Sequence, residues 1–293
     1  RGLGDVYKRQ AEGNTLPQNY EFVTVLLRKA ACGSFLLARI LRHVWMLFAL
    51  RELRCYTNAV CGERKAVMAN PIGLYLHIPF CRGKCPYCDF YSMRADAACM
   101  DTYTQALQKS LEQWANRTGR AADTLYLGGG TPSLLGGARI AALVQTARGC
   151  YGLRGAEITV ECNPSDADGN LFEVLAKAGV NRISLGLQSA VEEERKALGR
   201  RAGVKEAAES IRLARAAGIS NLSLDLMLGI PGQTAESLRR SIDFCTQAGV
   251  CHISAYLLKI EEGTPFAQRR ASLVLPNEDT VCDLYEQACE ELE

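Results

Sequence analysis

From Met68 onward, short apolar runs alternate with longer segments whose apolar residues return every three or four positions. The short runs predict strands at Gly73–Ile78, Thr124–Gly128, Glu157–Cys162, Arg182–Leu187, Asn221–Leu228 and His252–Leu258. The longer segments predict helices at Thr102–Arg117, Ala138–Arg148, Asn170–Ala178, Val204–Ala216, Ala235–Ala248 and Glu278–Leu292. Gly179, Gly218 and Gly249 each follow a predicted helix, where a left-handed stop residue belongs. Six strand–helix units of this size predict an α/β fold with a parallel sheet and right-handed crossovers. Apolar runs such as Leu222–Leu228 suggest a sheet covered on both faces. The unusual residues gather at the C-terminal ends of strands, where α/β barrels carry their chemistry. An open, partial (β/α)6 barrel is therefore expected, with a doubly wound open sheet as the alternative.

The two ends break this pattern. Phe22 to Leu50 is apolar, but Arg28, Lys29, Arg39 and Arg42 interrupt it, and its longest uncharged stretch is the nine residues Ala30–Ala38. A bilayer span needs roughly 20. A basic amphipathic helix lying on a membrane and a signal peptide are the alternatives. Residues 1–21 are polar and aperiodic, Arg1 is no initiator, and Met68 is followed at once by Ala-Asn-Pro-Ile and the first good strand. Residues 1–67 are accordingly read as an extension outside the functional domain, and 68–293 as the core domain. At the other end Asn277 is a plausible N-cap, yet the final residues Glu290, Glu291, Leu292 and Glu293 oppose a helix dipole without a Gly or Asn stop. The core domain is expected to be truncated there.

Composition narrows the class. Of 293 residues, 48% are hydrophobic and 23% charged, which is ordinary for a globular protein with a sizeable core. The net charge of +2 hides an excess of Lys and Arg in residues 1–67, so the remainder is mildly acidic and carries no bulk signature for nucleic acid. Thirteen cysteines, an odd number, are scattered, several within apolar elements (Cys162, Cys245, Cys251). Those three read as reduced, buried cysteines of a cytoplasmic protein rather than parts of a disulfide framework.

The chemistry is concentrated at Cys81, Cys85 and Cys88, a CxxxCxxC following the first predicted strand. Three thiols within eight residues are one ligand short of a closed zinc site or a fully ligated [4Fe–4S] cubane. They suit a cluster with one open iron. Gly128-Gly129-Gly130-Thr131-Pro132-Ser133 follows the second strand and is either a structural turn or a place where backbone N–H groups meet a polar ligand. Glu161 ends the third strand, as a ligand contact or a loop cap. Gln188 ends the fourth, as a ligand contact or part of a polar network. Asp225 lies inside an apolar strand, where an ionised carboxylate needs partners. His77 either orients the cysteine loop or is a hydrogen-bonded strand-end histidine.

Tyr75-Leu-His-Ile-Pro-Phe-Cys81, the CxxxCxxC, GGGTPS, the Glu161 motif, Gln188 and the run from Leu222 to Thr234 together resemble one branch of the radical S-adenosylmethionine (SAM) superfamily. That branch holds oxygen-independent coproporphyrinogen III oxidase and its relative, the HemW-type haem chaperone, and the resemblance covers roughly residues 70–293. It implies a radical SAM type of partial barrel. Cys81, Cys85 and Cys88 would be cluster ligands; Tyr75 and Tyr87 would flank the cluster and SAM. Gly129, Gly130 and Thr131 would hold the SAM amino end. Glu161, Gln188, Arg200 and Asp225 would surround SAM and a second SAM or substrate, with Lys259 a further contact, partly through its backbone. The oxidase has another cysteine two positions beyond its third ligand; here Phe90 stands there, which favours the chaperone, as does Lys259–Phe266.

The chaperone reading implies haem binding and delivery to an acceptor protein, with a homodimer among the expected assemblies. The oxidase reading implies a porphyrinogen substrate, an electron donor such as flavodoxin or ferredoxin, and SAM cleavage to methionine and a 5′-deoxyadenosyl radical that initiates decarboxylation. A radical SAM methyltransferase is a third reading.

Overall fold

The computed structural model describes residues 22–25, 71–166 and 168–292. The expectation for residues 1–67 lies outside the described residues, except that Phe22–Val25 forms a four-residue strand, β1. The other strands are β2 (Ile72–Ile78), β3 (Ala122–Gly129), β4 (Glu157–Cys162), β5 (Arg182–Gln188), β6 (Asn221–Leu228) and β7 (His252–Leu257). They form one sheet in sequence order, every neighbouring pair parallel. β1 adds to the edge beside β2, with Phe22 opposite Gly73 and Val25 opposite Leu76. The six strands β2–β7 form the open (β/α)6 half-barrel that the alternating pattern predicts.

The helices are α1 (Ala97–Thr118), α2 (Gly137–Tyr151), α3 (Gly169–Ala178), α4 (Glu192–Ala197), α5 (Val204–Ala216), α6 (Ala235–Gln247), α7 (Pro265–Gln268) and α8 (Glu278–Leu292). Several are started by a side-chain cap that accepts from the first turn. Asp96 accepts from Cys99 N at 2.8 Å, Asp168 from Leu171 N at 2.7 Å, and Asn277 from Thr280 N at 2.8 Å. The Asp96 cap starts α1 five residues ahead of the predicted Thr102. Neither α4 nor α7 is predicted, because each is too short to display a helical period.

The sheet corrects one expectation. Only its outer face is apolar: Leu74, Leu76, Ile78, Leu125, Leu127, Ile158, Val160, Ile183, Leu185, Leu222, Leu224, Leu226 and Leu228 are buried in the main core with helix residues such as Leu107, Leu143, Phe172 and Leu238. Each such side chain contributes roughly 1.5–3 kcal/mol by leaving water. The inner face is polar. Register places Tyr75 beside Tyr126, Tyr126 beside Thr159, Glu161 beside Ser184, Ser184 beside Ser223, and Asp225 beside Ser254. The strands alternate because one face packs helices while the other lines a polar interior, so Leu222–Leu228 carries Ser223 and Asp225 on its inner face rather than being covered by apolar packing on both.

Candidate functional site

The cysteine loop leaves β2 and is pinned at three places. Cys81 N donates to Met93 O and Met93 N to Pro79 O, at 3.0 and 2.8 Å, closing the loop on itself. Gly130 N and Thr131 N donate to Ile78 O and Phe80 O, both at 2.8 Å, tying it to the turn after β3. Phe266 N donates to Pro86 O at 3.0 Å, and the Tyr87 ring meets the Phe266 ring edge-on at a centroid distance of 6.1 Å. The glycines of that turn are required by close approach. A Cβ on Gly130 would stand 2.7 Å from Phe80 O, and one on Gly129 would stand 2.5 Å from the His77 ring. His77 in turn hydrogen-bonds Tyr75 Oη through Nδ1 and Tyr91 O through Nε2, at 3.2 and 3.3 Å. It therefore braces the far end of the cysteine loop.

All three thiols are partly exposed and free of disulfides; of the cysteines expected to be buried, Cys162 and Cys245 are, whereas Cys251, just ahead of β7, is exposed. Thr131 Oγ1 lies 3.5 Å from Cys81 Sγ, and Arg200 Nη1 lies 4.0 Å from Cys85 Sγ. Burial pushes the Cys88 thiol up, a penalty that iron coordination would offset. Among the described residues no three His, Cys, Asp or Glu side chains converge as on a single metal ion. A cubane engages each thiolate through a different iron and leaves its fourth iron for another ligand, which suits three partly exposed thiols on one loop. An open depression of about 170 Å³ runs beside Cys81, lined by Gly83, Lys84, Ser92, Met93 and Arg94.

Two carboxylates face the barrel interior. Tyr126 Oη donates to Glu161 Oε1 at 2.7 Å and Gly129 N to Oε2 at 3.1 Å. Ser184 Oγ donates to Asp225 Oδ1 at 2.9 Å. Burial raises the pKa of Glu161, with Asp225 adding to the rise while the Tyr126 and Gly129 hydrogen bonds oppose it. Burial likewise raises Asp225 against its bonds to Ser184 and Ser254 and the charges of Arg182 and His252. Two desolvated anions aimed at one space favour a cationic ligand, whose charge would relieve both.

Gln188 ends β5 at a bulge and, although not a glycine, has φ +71°. Arg200 reaches back to it from beyond α4, donating to Gly186 O at 2.6 Å. The structure thus gathers Cys81, Cys85, Cys88, Tyr75, Tyr87, Gly129, Gly130, Thr131, Glu161, Gln188, Arg200 and Asp225 at the C-terminal ends and interior of one half-barrel. The Lys259 side chain is not drawn in: its Nζ pairs with Glu261 at 2.7 Å on the surface. Tyr126 and Ser184 are the residues that sequence reasoning missed. Their alternation with apolar neighbours along β3 and β5 was the available signal. Phe90, just past Cys88, is 66% exposed.

The Radical SAM superfamily model matches residues 75–245, more than half of the chain. The chain belongs to the radical SAM superfamily, and that family implies a [4Fe–4S] cluster and SAM. Among curated relatives it is 41% identical to "Heme chaperone HemW" of Escherichia coli (strain K12) over 225 residues, 75% of this chain and 59% of the relative. It is 39% identical to the protein of the same name from Mycobacterium tuberculosis (strain CDC 1551 / Oshkosh), covering 74% of this chain and 57% of that one. Among solved structures, the coproporphyrinogen III oxidase HemN from Escherichia coli superposes with a TM-score of 0.68 at 27% identity, over 76% of this chain and 52% of that one. The chain spans about three fifths of the length of the curated relatives. Among the described residues no helix is long and apolar enough to cross a membrane.

Proposed function

We propose that this chain is the cluster- and SAM-binding core of a haem chaperone acting in the cytoplasm. The observation that carries the reading is the partly exposed three-thiol loop held against Thr131 and Arg200 at the mouth of a polar half-barrel. Its likeness to chaperones rather than to an oxidase rests on the curated relatives and on Phe90 after the third thiol. Cys81, Cys85 and Cys88 would hold the cluster, and Gly129, Gly130 and Thr131 would receive the SAM amino end. Glu161 and Asp225 would face its positive charge, with Tyr75, Tyr87, Gln188, Arg200 and the Lys259 backbone completing the surroundings. When bound, the cluster supplies an iron that chelates SAM and an electron that can cleave it.

The chain's own contribution is position and charge. Tyr126 and Gly129 fix the Glu161 carboxylate, Ser184 fixes that of Asp225, and His77 holds the loop that presents the thiols. Haem, an acceptor protein, a homodimer and a reducing partner such as flavodoxin or ferredoxin complete the proposed system. The test is to reconstitute the cluster and measure both haem binding and conversion of coproporphyrinogen III. Haem bound and passed to an acceptor, with no conversion, is the expected result. Decarboxylation of coproporphyrinogen III, or failure to bind haem, would contradict it.

A further inference from the structure

The unpredicted helix α4 carries a buried acid that the proposed site does not use. Glu194 is 3% exposed, and its Oε1 has no hydrogen-bond partner among the described residues. Its Oε2 accepts a 2.6 Å hydrogen bond from Ser189 Oγ, which itself accepts from Val191 N at 2.8 Å. The neighbouring Arg195 donates from Nη1 to Ser189 O at 2.8 Å, and Ser241 Oγ accepts from Ala190 N at 3.0 Å. Four polar contacts therefore converge on the segment directly after Gln188. A carboxylate half satisfied in the interior is a poor choice for stability alone.

Gln188 explains what that segment must do. Its left-handed backbone is costly for a residue with a Cβ, and such a conformation persists only when its surroundings over-determine it. The same helix ends by setting Arg200: Arg200 N donates to Arg195 O at 2.8 Å, and its guanidinium returns to Gly186 O and Cys85 Sγ. Gly199 is pressed against the cysteine loop, where a Cβ would meet Pro86 Cδ at 2.8 Å. Thus α4 touches the strained Gln188 turn at its start, and the residues that follow it, Gly199 and Arg200, meet the cysteine loop.

We propose that Glu194 is a positioning residue that, through Ser189, locks the Gln188 turn and seats Arg200 against the cysteine loop, so that SAM meets a preformed site. This rests on the SAM reading given above. The test uses the cluster-reconstituted full chain and compares Glu194→Ala with Glu194→Gln, whose amide oxygen can still accept from Ser189. Equilibrium dialysis gives SAM affinity, iron analysis gives cluster content, and thermal unfolding of the apo chain reports any purely structural loss.

Glu194→Ala should weaken SAM binding about tenfold at unchanged iron content, the scale of one lost hydrogen bond, and Glu194→Gln should restore it. Wild-type SAM affinity in Glu194→Ala, or a Glu194→Gln variant as weak as Glu194→Ala, overturns the proposal. Should Glu194→Ala fail to fold, Ser189→Ala removes the same hydrogen bond from the other side and is held to the same outcomes. Wild-type chain that carries the cluster yet binds no SAM would instead overturn the SAM reading, and this proposal with it.

Discussion

Tyr126 and Glu161, on adjacent strands, are joined by a 2.7 Å hydrogen bond in which the phenol donates to Oε1. The Tyr126 ring also lies nearly parallel to that of Tyr75, with centroids 6.0 Å apart and planes 23° from each other. This leaves Glu161 little rotational freedom, since Gly129 N holds its other oxygen. A carboxylate already oriented toward the interior loses less entropy when a cation arrives.

Tyr126→Phe should therefore weaken SAM binding more than it weakens the fold. Hydrogen bonds to charged groups contribute about 1.5–3 kcal/mol, so a fall in affinity of roughly tenfold or more is expected. Equilibrium dialysis on the reconstituted variant measures it, with thermal unfolding as the control. Equal affinity in variant and wild type would show that Tyr126 does not orient the acid toward its ligand.

The two buried acids give the apo chain a characteristic pH response. Glu161 and Asp225 both have folded pKa values raised above the ordinary carboxylate range. The native state then keeps protons that the unfolded chain has already released, so stability declines as pH rises. The pair's contribution is fully present below the ordinary carboxylate pKa and is lost as pH climbs through the raised values. Unfolding midpoints across that window should fall with pH in the wild type and flatten in a Glu161→Gln/Asp225→Asn variant. SAM binding should change in the opposite sense, strengthening with pH as the acids ionise to face its positive charge.

Gly130 should resist even alanine. Its added Cβ would stand 2.7 Å from Phe80 O and 3.0 Å from both Ile78 O and Phe80 N, all backbone atoms that cannot swing aside. A loss of about 1–3 kcal/mol is expected for such overpacking, or roughly 2–10 °C in melting temperature. Gly149, inside α2, is the matched control: beyond its own helix backbone and chain neighbours, an added Cβ would meet nothing within 4 Å among the described residues. Gly149→Ala should be neutral or stabilising by up to about 1 kcal/mol, because alanine is the better helix former.

How much of this was legible in the sequence depended on period and length. Glu157–Cys162, Asn221–Leu228, Val204–Ala216 and Glu278–Leu292 are found as predicted, since each shows its period over enough residues to define both ends. The six residues of α4 complete fewer than two turns and display no period, so the clamp built on Glu194 was invisible. The polar inner face was present as alternation in Asn221-Leu-Ser-Leu-Asp-Leu226, but the leucines between the polar residues read as one continuous apolar run. Close spacing made the cysteine loop and the glycine turn stand out, and Asp225 stood out as a carboxylate inside an apolar strand. Arg200 was reached only through the family resemblance, because only the path of the chain brings it back to Gly186 and Cys85.

The cysteines should separate by role. Cys81→Ala, Cys85→Ala and Cys88→Ala should each lower the iron retained after anaerobic reconstitution severalfold, whereas Cys99→Ala, on the exposed first turn of α1, should retain the wild-type amount. Iron and sulfide analysis on the desalted proteins makes the comparison. Equal retention across all four variants would place the cluster elsewhere.

Electron paramagnetic resonance of the reduced, reconstituted chain, recorded with and without SAM, probes the open iron most directly. The expected result is one [4Fe–4S] signal per chain whose line shape changes when SAM is added, because SAM occupies the position that the three thiolates leave free. A cluster signal indifferent to saturating SAM, or no four-iron cluster at all, would contradict a site built from Cys81, Cys85 and Cys88 with SAM as its fourth ligand.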